Sequence, residues 1–117
     1  MTQNELYSKV CETSNLDTIQ SYVAEILKLR GFTSDTVQDK MLLLTEEVGE
    51  LAKAIRKTNT SIAIDYSREE YFDTIENEIA DVFIVLLSLC NLLKLDLYKL
   101  FIMKEEKNIK RKWERHE

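Results

Sequence analysis

Two stretches, Glu46-Glu47-Val48-Gly49-Glu50 and Glu78-Ile79-Ala80-Asp81, place five carboxylates in the most apolar and most helix-like parts of the chain. A carboxylate that leaves water costs free energy unless it is paired, hydrogen-bonded or bound to a metal ion. We therefore expect these stretches to form one polar site, and we expect the rest of the chain to serve as its frame.

The composition favours helices. The chain has 117 residues, no proline and only two glycines, Gly31 and Gly49. An all-β chain needs turn residues at short intervals, and they are missing here. A chain of this length without an evident linker is most simply one domain. We predict an all-α fold in which residues 1–117 form a single domain.

The formal net charge of −5 argues against two classes of partner. An acidic chain lacks the basic surface that binds nucleic acid polymers or anionic membranes. The first residues lack the basic and apolar regions of a signal peptide, and no apolar run has the length of a transmembrane helix. The two cysteines, Cys11 and Cys90, do not have the spacing of a zinc site. These features predict a cytoplasmic protein that binds neither nucleic acid polymers nor membranes.

Apolar periodicity predicts a bundle of four to five helices. Residues 57–66 lose this periodicity and predict a loop. Capping and stop signals predict the boundaries of five helices. A short first helix covers 4–13, and a second begins near Asp17 and ends at Gly31. The third begins at Ser34 and Asp35, the long central helix is opened by Ser67-Arg68-Glu69-Glu70, and the last is capped by Asp96.

The second half of the central helix, from Ile79 to Leu93, is apolar nearly all round. A helix that is apolar on every side must be covered on every side, and a chain of this length has few helices with which to do so. We expect a second subunit to supply part of the cover. The protein is then a homodimer or a dimer of dimers.

Helical geometry brings the acidic side chains together. Glu47 and Glu50 fall about 60° apart on their helix, next to its apolar stripe. Glu78 and Asp81 are again three residues apart and share a face. Like charges this close repel and raise one another's pKa. Divalent cations would make the arrangement tolerable, and oxygen ligands without Cys or His select Mg²⁺, with Mn²⁺ as the alternative. The chemistry that this site suggests is metal-assisted attack of water on a phosphoryl group.

Two other interpretations of the acidic stretches are weaker. Glu-rich helices often present a solvated face with a few Lys partners, but Asp81 lies among apolar neighbours and has a low helix propensity. A di-iron site in a helical bundle uses Glu-x-x-His motifs, and the single histidine, His116, is next to the last residue.

Gly49 also stands out, because a glycine inside a helix costs up to about 1 kcal/mol. We expect it to mark either close helix packing or room for the site.

The motif Glu-Glu-x-x-Glu followed by Glu-x-x-Asp resembles the signature of the MazG-type nucleotide pyrophosphohydrolases, which belong to the all-α NTP pyrophosphatase superfamily. Residues 44–55 are similar to the first motif helix of that family and residues 78–83 to the second. The similarity covers about residues 17–113. It implies a helical core that dimerises and an Mg²⁺-dependent hydrolysis of (d)NTP to (d)NMP and pyrophosphate.

The resemblance also implies roles for individual residues. By matching positions, the metal ligands would be four acids: Glu47, Glu50, Glu78 and Asp81. Glu46 would be an additional acid near the attacking water, which it would orient or deprotonate.

Cations are needed for the phosphates of such a substrate. Lys53 lies close to the Glu50 face, where it either contacts a phosphate or pairs with a Glu of its own helix. Lys107, Asn108 and Arg111 are similar to a basic C-terminal motif of the family and could reach the phosphates or the sugar. Their alternative is a solvated, mixed-charge terminus. Arg111 is the best candidate of the three, because a guanidinium group can clamp phosphate oxygens in bidentate fashion.

Two rival functions stay open at this point. One is the same chemistry on another nucleotide, such as phosphoribosyl-ATP. The other is a non-catalytic helical oligomerisation module that keeps the acidic cluster as a metal or nucleotide sensor.

Overall fold

The structure, a computed structural model, describes the backbone of residues 1–116 and the side chains of residues 1–68 and 72–116. Over this part of the chain it contains five α-helices, one short 3₁₀ segment and no strand, so the predicted all-α class is confirmed. The helices are α1 (Gln3–Tyr7), α2 (Leu16–Leu29), α3 (Val37–Asn59), α4 (Ile75–Leu93) and α5 (Leu97–Ile109), and the 3₁₀ segment is Tyr66–Tyr71.

Helices α3 and α4 form the main packing unit. Glu47 lies close to Glu78 and Asp81, whereas Lys40 and Ser88 line one cavity further along. The two helices therefore run antiparallel, with a groove between them. Helix α2 packs against α4, and α5 packs against α2. The most deeply buried side chains are Val23 and Ile26 of α2 and Leu87 of α4, with Ala54 and Cys90 also buried.

A buried amide network joins α2 to the turn between α4 and α5. The side-chain amide of Gln20 donates to Asn91 Oδ1 at 3.0 Å and to the carbonyl of Leu95 at 2.8 Å. Gln20 Oε1 accepts from the backbone N–H of Leu97 at 3.1 Å, and Asn91 Nδ2 donates to the carbonyl of Gln20 at 3.1 Å. Because each buried polar group of Gln20 has a partner, the network fixes where α5 begins.

Several helix boundaries follow the predicted signals. Helix α2 ends in a Schellman motif, in which Gly31 has a φ of 90° and the N–H of Phe32 donates to the carbonyl of Leu27. Asp96 caps α5, as predicted, by accepting from the backbone N–H of Lys99. Residues 60–65 lie between α3 and the 3₁₀ segment, so the predicted loop exists, although α3 continues to Asn59.

Two predicted helix starts, those of α3 and α4, are wrong, whereas α2 begins at Leu16, beside the predicted Asp17. Helix α3 begins after Thr36, because Thr36 and Asp39 form a complete capping box, while Asp35 pairs with Lys40 instead. Helix α4 begins after Thr74, whose hydroxyl accepts from the backbone N–H of Asn77. The capping box predicted at Ser67 does not open this helix, and the side chain of its last member, Glu70, lies outside the described residues. The cap of α2 is Asn15.

The predicted first helix is shorter than 4–13. Helix α1 ends at Tyr7, because the next residues form turns and Ser8 donates its hydroxyl proton back to the carbonyl of Glu5.

The chain leaves much apolar surface exposed. Ile79 and Phe83 on α4 are 55% and 39% exposed, and Met41 and Leu42 on α3 are 50% and 71% exposed. The radius of gyration is 17.6 Å, against about 13 Å for a compact domain of this length. Among the described helices, none combines the length and the apolar character that a bilayer span requires.

Candidate metal centre

The first turn of α4 is held in place by polar contacts at its start. Thr74 Oγ1 accepts from the N–H of Asn77 at 3.2 Å, and Asp73 Oδ1 accepts from the N–H of Thr74 and from Asn77 Nδ2 at 2.7 and 3.0 Å. These bonds satisfy N–H groups that a helix start leaves without intrahelical partners. They also place Glu78 one turn into the helix, where its side chain turns toward α3.

Three carboxylates from the two helices converge. Glu47 of α3 and Glu78 and Asp81 of α4 each offer one oxygen, and these oxygens lie within 4.8 Å of one another. Glu78 is only 5% exposed, and the other two are half-buried. We call Glu47, Glu78 and Asp81 the acidic centre.

The acidic centre is electrostatically strained as it stands. Burial raises the pKa of Glu78 above its ordinary value, and the neighbouring charges of Asp81, Asp73 and Glu50 raise it further. Burial likewise raises the pKa of Glu47, followed by the charges of Asp81 and Glu78. Both causes disfavour the ionised carboxylate, and the positive charge of Lys53 offsets them only in part at Glu78.

A divalent cation fits this site by the chemistry of its donors. Glu78 Oε2 is buried and has no hydrogen-bond partner among the described residues. A buried carboxylate oxygen left in this way is costly unless something binds it. Three oxygen donors without a Cys or His ligand suit a hard cation of the Mg²⁺ type.

The two other predicted acids lie beside the acidic centre. Glu50 belongs to the same surface of α3, but its Oε2 is 3.7 Å from Lys53 Nζ, so it forms an ion pair on its own helix. Glu46 is exposed, and its charge contributes to the raised pKa of Glu47. The structure therefore brings together three of the four predicted metal ligands and leaves Glu50 at their edge, paired with a cation.

Lys53 belongs to a group of three cations, of which it alone was predicted as a site residue. Its Nζ lies 4.9 Å from the ring centre of Phe72, and Arg56 and Lys57 approach the same ring at 5.9 and 5.6 Å. Arg56 also donates to the carbonyl of Ala63 at 3.2 Å and so ties the loop after α3 to the helix. The three cations lie within two turns of α3, so this cluster could have been found from the sequence. The position of Phe72 over them depends on how residues 60–74 fold back.

The three predicted C-terminal contacts lie at the far end of α5. Arg111 donates to Asn108 Oδ1 at 3.3 Å, Asn108 Nδ2 donates to Glu105 at 3.0 Å, and Trp113 Nε1 donates to the carbonyl of Asn108. Lys107 is exposed in the last turn of the same helix. These contacts are local to the C-terminal segment, and α5 joins the bundle through α2.

Gly49 does not mark close packing. A Cβ built on Gly49 meets nothing within 4 Å, and the residue is exposed in the middle of α3. Of the two expectations for this glycine, close helix packing is wrong within a single chain, and room for the site remains.

Comparison with known proteins places this geometry in a family. A family model described as the MazG nucleotide pyrophosphohydrolase domain matches residues 35–116, which include all the acids above. No curated protein sequence matches the chain at a significant level.

Solved structures with a similar fold agree with this family match. The structure of YPJD from Bacillus subtilis, a candidate pyrophosphatase, has a TM-score of 0.73 and 24% identity, and the match covers 87% of this chain and 100% of that one. The structure of iMazG from Vibrio DAT 722 has a TM-score of 0.59 and 25% identity, with 86% of this chain and 100% of that one covered. Because the family model spans more than half of the chain, and because the fold and the acidic helices agree with it, the protein belongs to the MazG nucleotide pyrophosphohydrolase family and is a hydrolase.

Proposed function

We propose that the protein hydrolyses nucleoside triphosphates, (d)NTP, to the monophosphate and pyrophosphate, and that the reaction depends on Mg²⁺. The observation that carries this proposal is the acidic centre, in which Glu78 lies beside two further carboxylates and its buried Oε2 has no hydrogen-bond partner among the residues that the structure describes. Such a centre is costly for the protein alone, and it becomes favourable with cations and a polyphosphate.

Glu47, Glu78 and Asp81 would hold the cation, and Glu50 would join them if the substrate drew Lys53 away from it. A bound Mg²⁺ would supply charge neutralisation for the phosphates and orientation for the attacking water. The chain's own contribution is to keep the carboxylates aligned, because α3 and α4 fix their backbone positions, whereas the cation would favour their ionised form.

Proton transfer falls to Glu46 in this proposal. It is exposed next to Glu47, so it can accept a proton from a water held at the edge of the acidic centre. The oxygen of that water forms a new bond to phosphorus as the anhydride bond between the α- and β-phosphates breaks. Pyrophosphate leaves with the electron pair of that bond.

Helix α3 also provides positive charge for the phosphates. Lys53 Nζ already lies 3.7 Å from Glu50 Oε2, so a small side-chain movement brings it to a phosphate at the acidic centre. Arg56 lies next along the helix beside Phe72. We also propose contacts to the phosphates or the sugar for Lys107, Asn108 and Arg111. A dimer would have to bring these three residues to the site.

A homodimer or a dimer of dimers is part of the proposal. Exposed apolar side chains on α3 and α4, such as Met41, Leu42 and Ile79, need cover that a single chain does not give them. The large radius of gyration has the same explanation, because an open arrangement of helices can be closed by a second copy. Light scattering tests this proposal, and a strictly monomeric mass would contradict it.

The proposed activity is tested by product analysis on the purified protein. The panel contains canonical and modified NTPs and dNTPs together with phosphoribosyl-ATP, with Mg²⁺ or with EDTA. Glu50→Gln and Asp81→Asn serve as site variants. Glu76→Gln serves as the matched control, because Glu76 is exposed in the first turn of α4 and lies outside the acidic centre.

We expect wild type and Glu76→Gln to release pyrophosphate from triphosphates with Mg²⁺ and to stop with EDTA. Both site variants should lose the activity. Release from phosphoribosyl-ATP alone would move the substrate to the first rival function. No release from any compound would contradict the proposal.

A further inference from the structure

A second polar site lies in the groove between α3 and α4, away from the acidic centre. It is an open cavity of about 430 Å³ lined by α2, the segment between α2 and α3, the start of α3 and the end of α4. Small-molecule pockets typically have about 300–1,000 Å³, with apolar walls and a few well-placed polar groups. Here the walls include Leu27 and Leu92, and the polar groups include Asp35, Lys40 and Ser88.

Lys40 is the unusual residue of this cavity. It is only 4% exposed, its Nζ lies 2.9 Å from Asp35 Oδ2, and the same nitrogen is 4.9 Å from the ring centre of Phe32. A buried ion pair contributes little to stability compared with apolar residues of the same size, because both ions must be removed from water. A buried lysine that lines a cavity is therefore better explained by a ligand than by folding.

Asp35 can accept a hydrogen bond from a ligand. Its Oδ2 is paired with Lys40 Nζ at 2.9 Å, but its side chain is 26% exposed, so the rest of the carboxylate can accept from a ligand. The cavity thus presents an ammonium donor and a carboxylate acceptor side by side.

The cavity is aligned with the acidic centre. Lys40 precedes Glu47 by seven residues, which is two turns, about 10 Å along the helix axis and about 20° around it. Ser88 follows Asp81 by the same interval on α4. The cavity and the acidic centre therefore lie end to end in one groove. A nucleotide separates its base from its α-phosphate by one sugar, which is a comparable length.

We infer that Lys40 and Asp35 bind and select the base of the nucleotide whose phosphates lie at the acidic centre, and that the base is guanine. This inference rests on the proposed function and adds the base that the enzyme prefers. Guanine offers a carbonyl acceptor, O6, to Lys40, and next to it the N1–H and N2–H donors to Asp35. Hypoxanthine lacks the second donor. Adenine offers a single amino donor and no carbonyl.

The test compares kcat/KM for GTP, ITP and ATP. Charge-assisted hydrogen bonds change such ratios by about 10- to 100-fold each. We expect wild type to prefer GTP to ATP by at least about 10-fold, with ITP between them. Asp35→Asn should remove most of this preference. Lys104→Met, on the exposed face of α5, is the control and should keep it.

Loss of one partner of a buried ion pair can unfold a protein, so a second variant is needed. The double variant Lys40→Met with Asp35→Leu removes both charges together. It should fold and release pyrophosphate from all three nucleotides at similar rates. A double variant that hydrolyses the nucleotides and still prefers GTP would overturn the inference, and so would a wild-type enzyme without base preference.

Binding of nucleoside monophosphates separates this inference from the proposed function. If wild type hydrolyses no nucleotide, the proposed function fails, and calorimetric titration with GMP and AMP in Mg²⁺ decides the inference alone. Tighter binding of GMP in wild type, lost in the double variant, would support the base site. Equal binding of GMP and AMP by wild type, or no binding of either, would overturn it.

Discussion

Gln20, near the C-terminal end of α4, and Glu78, near its N-terminal end, differ in how fully their buried polar atoms are hydrogen-bonded. Near its C-terminal end, Gln20 of α2 makes hydrogen bonds to Asn91, Leu95 and Leu97 and leaves no polar atom of its amide unsatisfied. Near its N-terminal end, Glu78 has a buried oxygen without a hydrogen-bond partner in the described part of the chain, and carboxylate oxygens of Glu47, Glu78 and Asp81 lie within 4.8 Å of one another. A satisfied network is what folding alone requires, whereas carboxylates that repel one another, with only Lys53 to offset them in part, are costly unless a ligand binds them. The contrast supports the proposal that the Gln20 network is structural and that the acidic centre binds a ligand.

The largest expected effect is on catalysis at the N-terminal end. Glu78→Gln should reduce pyrophosphate release by about 10²- to 10⁴-fold, because loss of a ligand removes several kcal/mol of charge stabilisation. The same change should not lower the free energy of unfolding in EDTA, since it removes repulsion with Asp81. Steady-state assays and urea unfolding measure the two quantities. A variant that is active, or one that is strongly destabilised, would contradict the functional assignment.

The second-largest expected effect is on stability, at the C-terminal end of α4. Gln20→Ala should reduce the free energy of unfolding by about 2–4 kcal/mol, because it leaves the Leu95 carbonyl and the Leu97 N–H without their partner. The activity of the protein that remains folded should change little. Urea unfolding measures the loss, with Gln38→Ala on the exposed face of α3 as the control. Equal effects of the two variants would show that the network is not structural.

The dependence of stability on pH should come from the acidic centre. Glu47 and Glu78 have pKa values raised above 4.5, so between that value and their folded pKa the folded state binds more protons than the unfolded state. In EDTA their contribution to stability should be fully present below about pH 4.5 and should be lost as the pH rises through the folded pKa.

Thermal unfolding in EDTA across this range checks the sign. The double variant Glu47→Gln with Glu78→Gln isolates the contribution, and its Tm should fall less with pH than that of wild type. Mg²⁺ should reverse the loss in wild type, because a bound cation favours the ionised carboxylates. A wild-type Tm that rises relative to the double variant over the same range would contradict the assignment.

The smallest expected effect concerns Gly49, beside the acidic centre. Gly49→Ala should raise the free energy of unfolding by about 0.5–1 kcal/mol, because alanine favours the helix and its Cβ meets nothing within 4 Å. If the space is needed for the substrate, KM should rise while stability improves. A stability loss would instead point to packing against a second copy.

The sequence was sufficient for the parts of the molecule that depend on local spacing. The absence of proline and the scarcity of glycine predicted the all-α class. Acids three residues apart share a helix face, so the meeting of Glu47, Glu78 and Asp81 could also be predicted. The roles of the individual acids stay predictions. The start of α4 could not be predicted, because Ser67 and Thr74 both carry capping signals and only the fold decides between them.

Contacts between segments that lie far apart in the sequence could not be predicted either. Lys40 looks like an ordinary polar residue of an amphipathic helix, and its burial depends on Asp35, Phe32 and the cover of α2. The cations around Phe72 depend in the same way on the path of residues 60–74. The expectation of close packing at Gly49 failed because propensity does not say where the neighbouring helix lies.

Direct titration with Mn²⁺ tests whether the acidic centre binds a divalent cation. Mn²⁺ can be followed by electron paramagnetic resonance without any substrate, in wild type, Glu78→Gln and the control Glu76→Gln. Our account predicts binding by wild type and by Glu76→Gln, with loss of binding in Glu78→Gln. No binding by wild type, or equal binding by all three proteins, would contradict it.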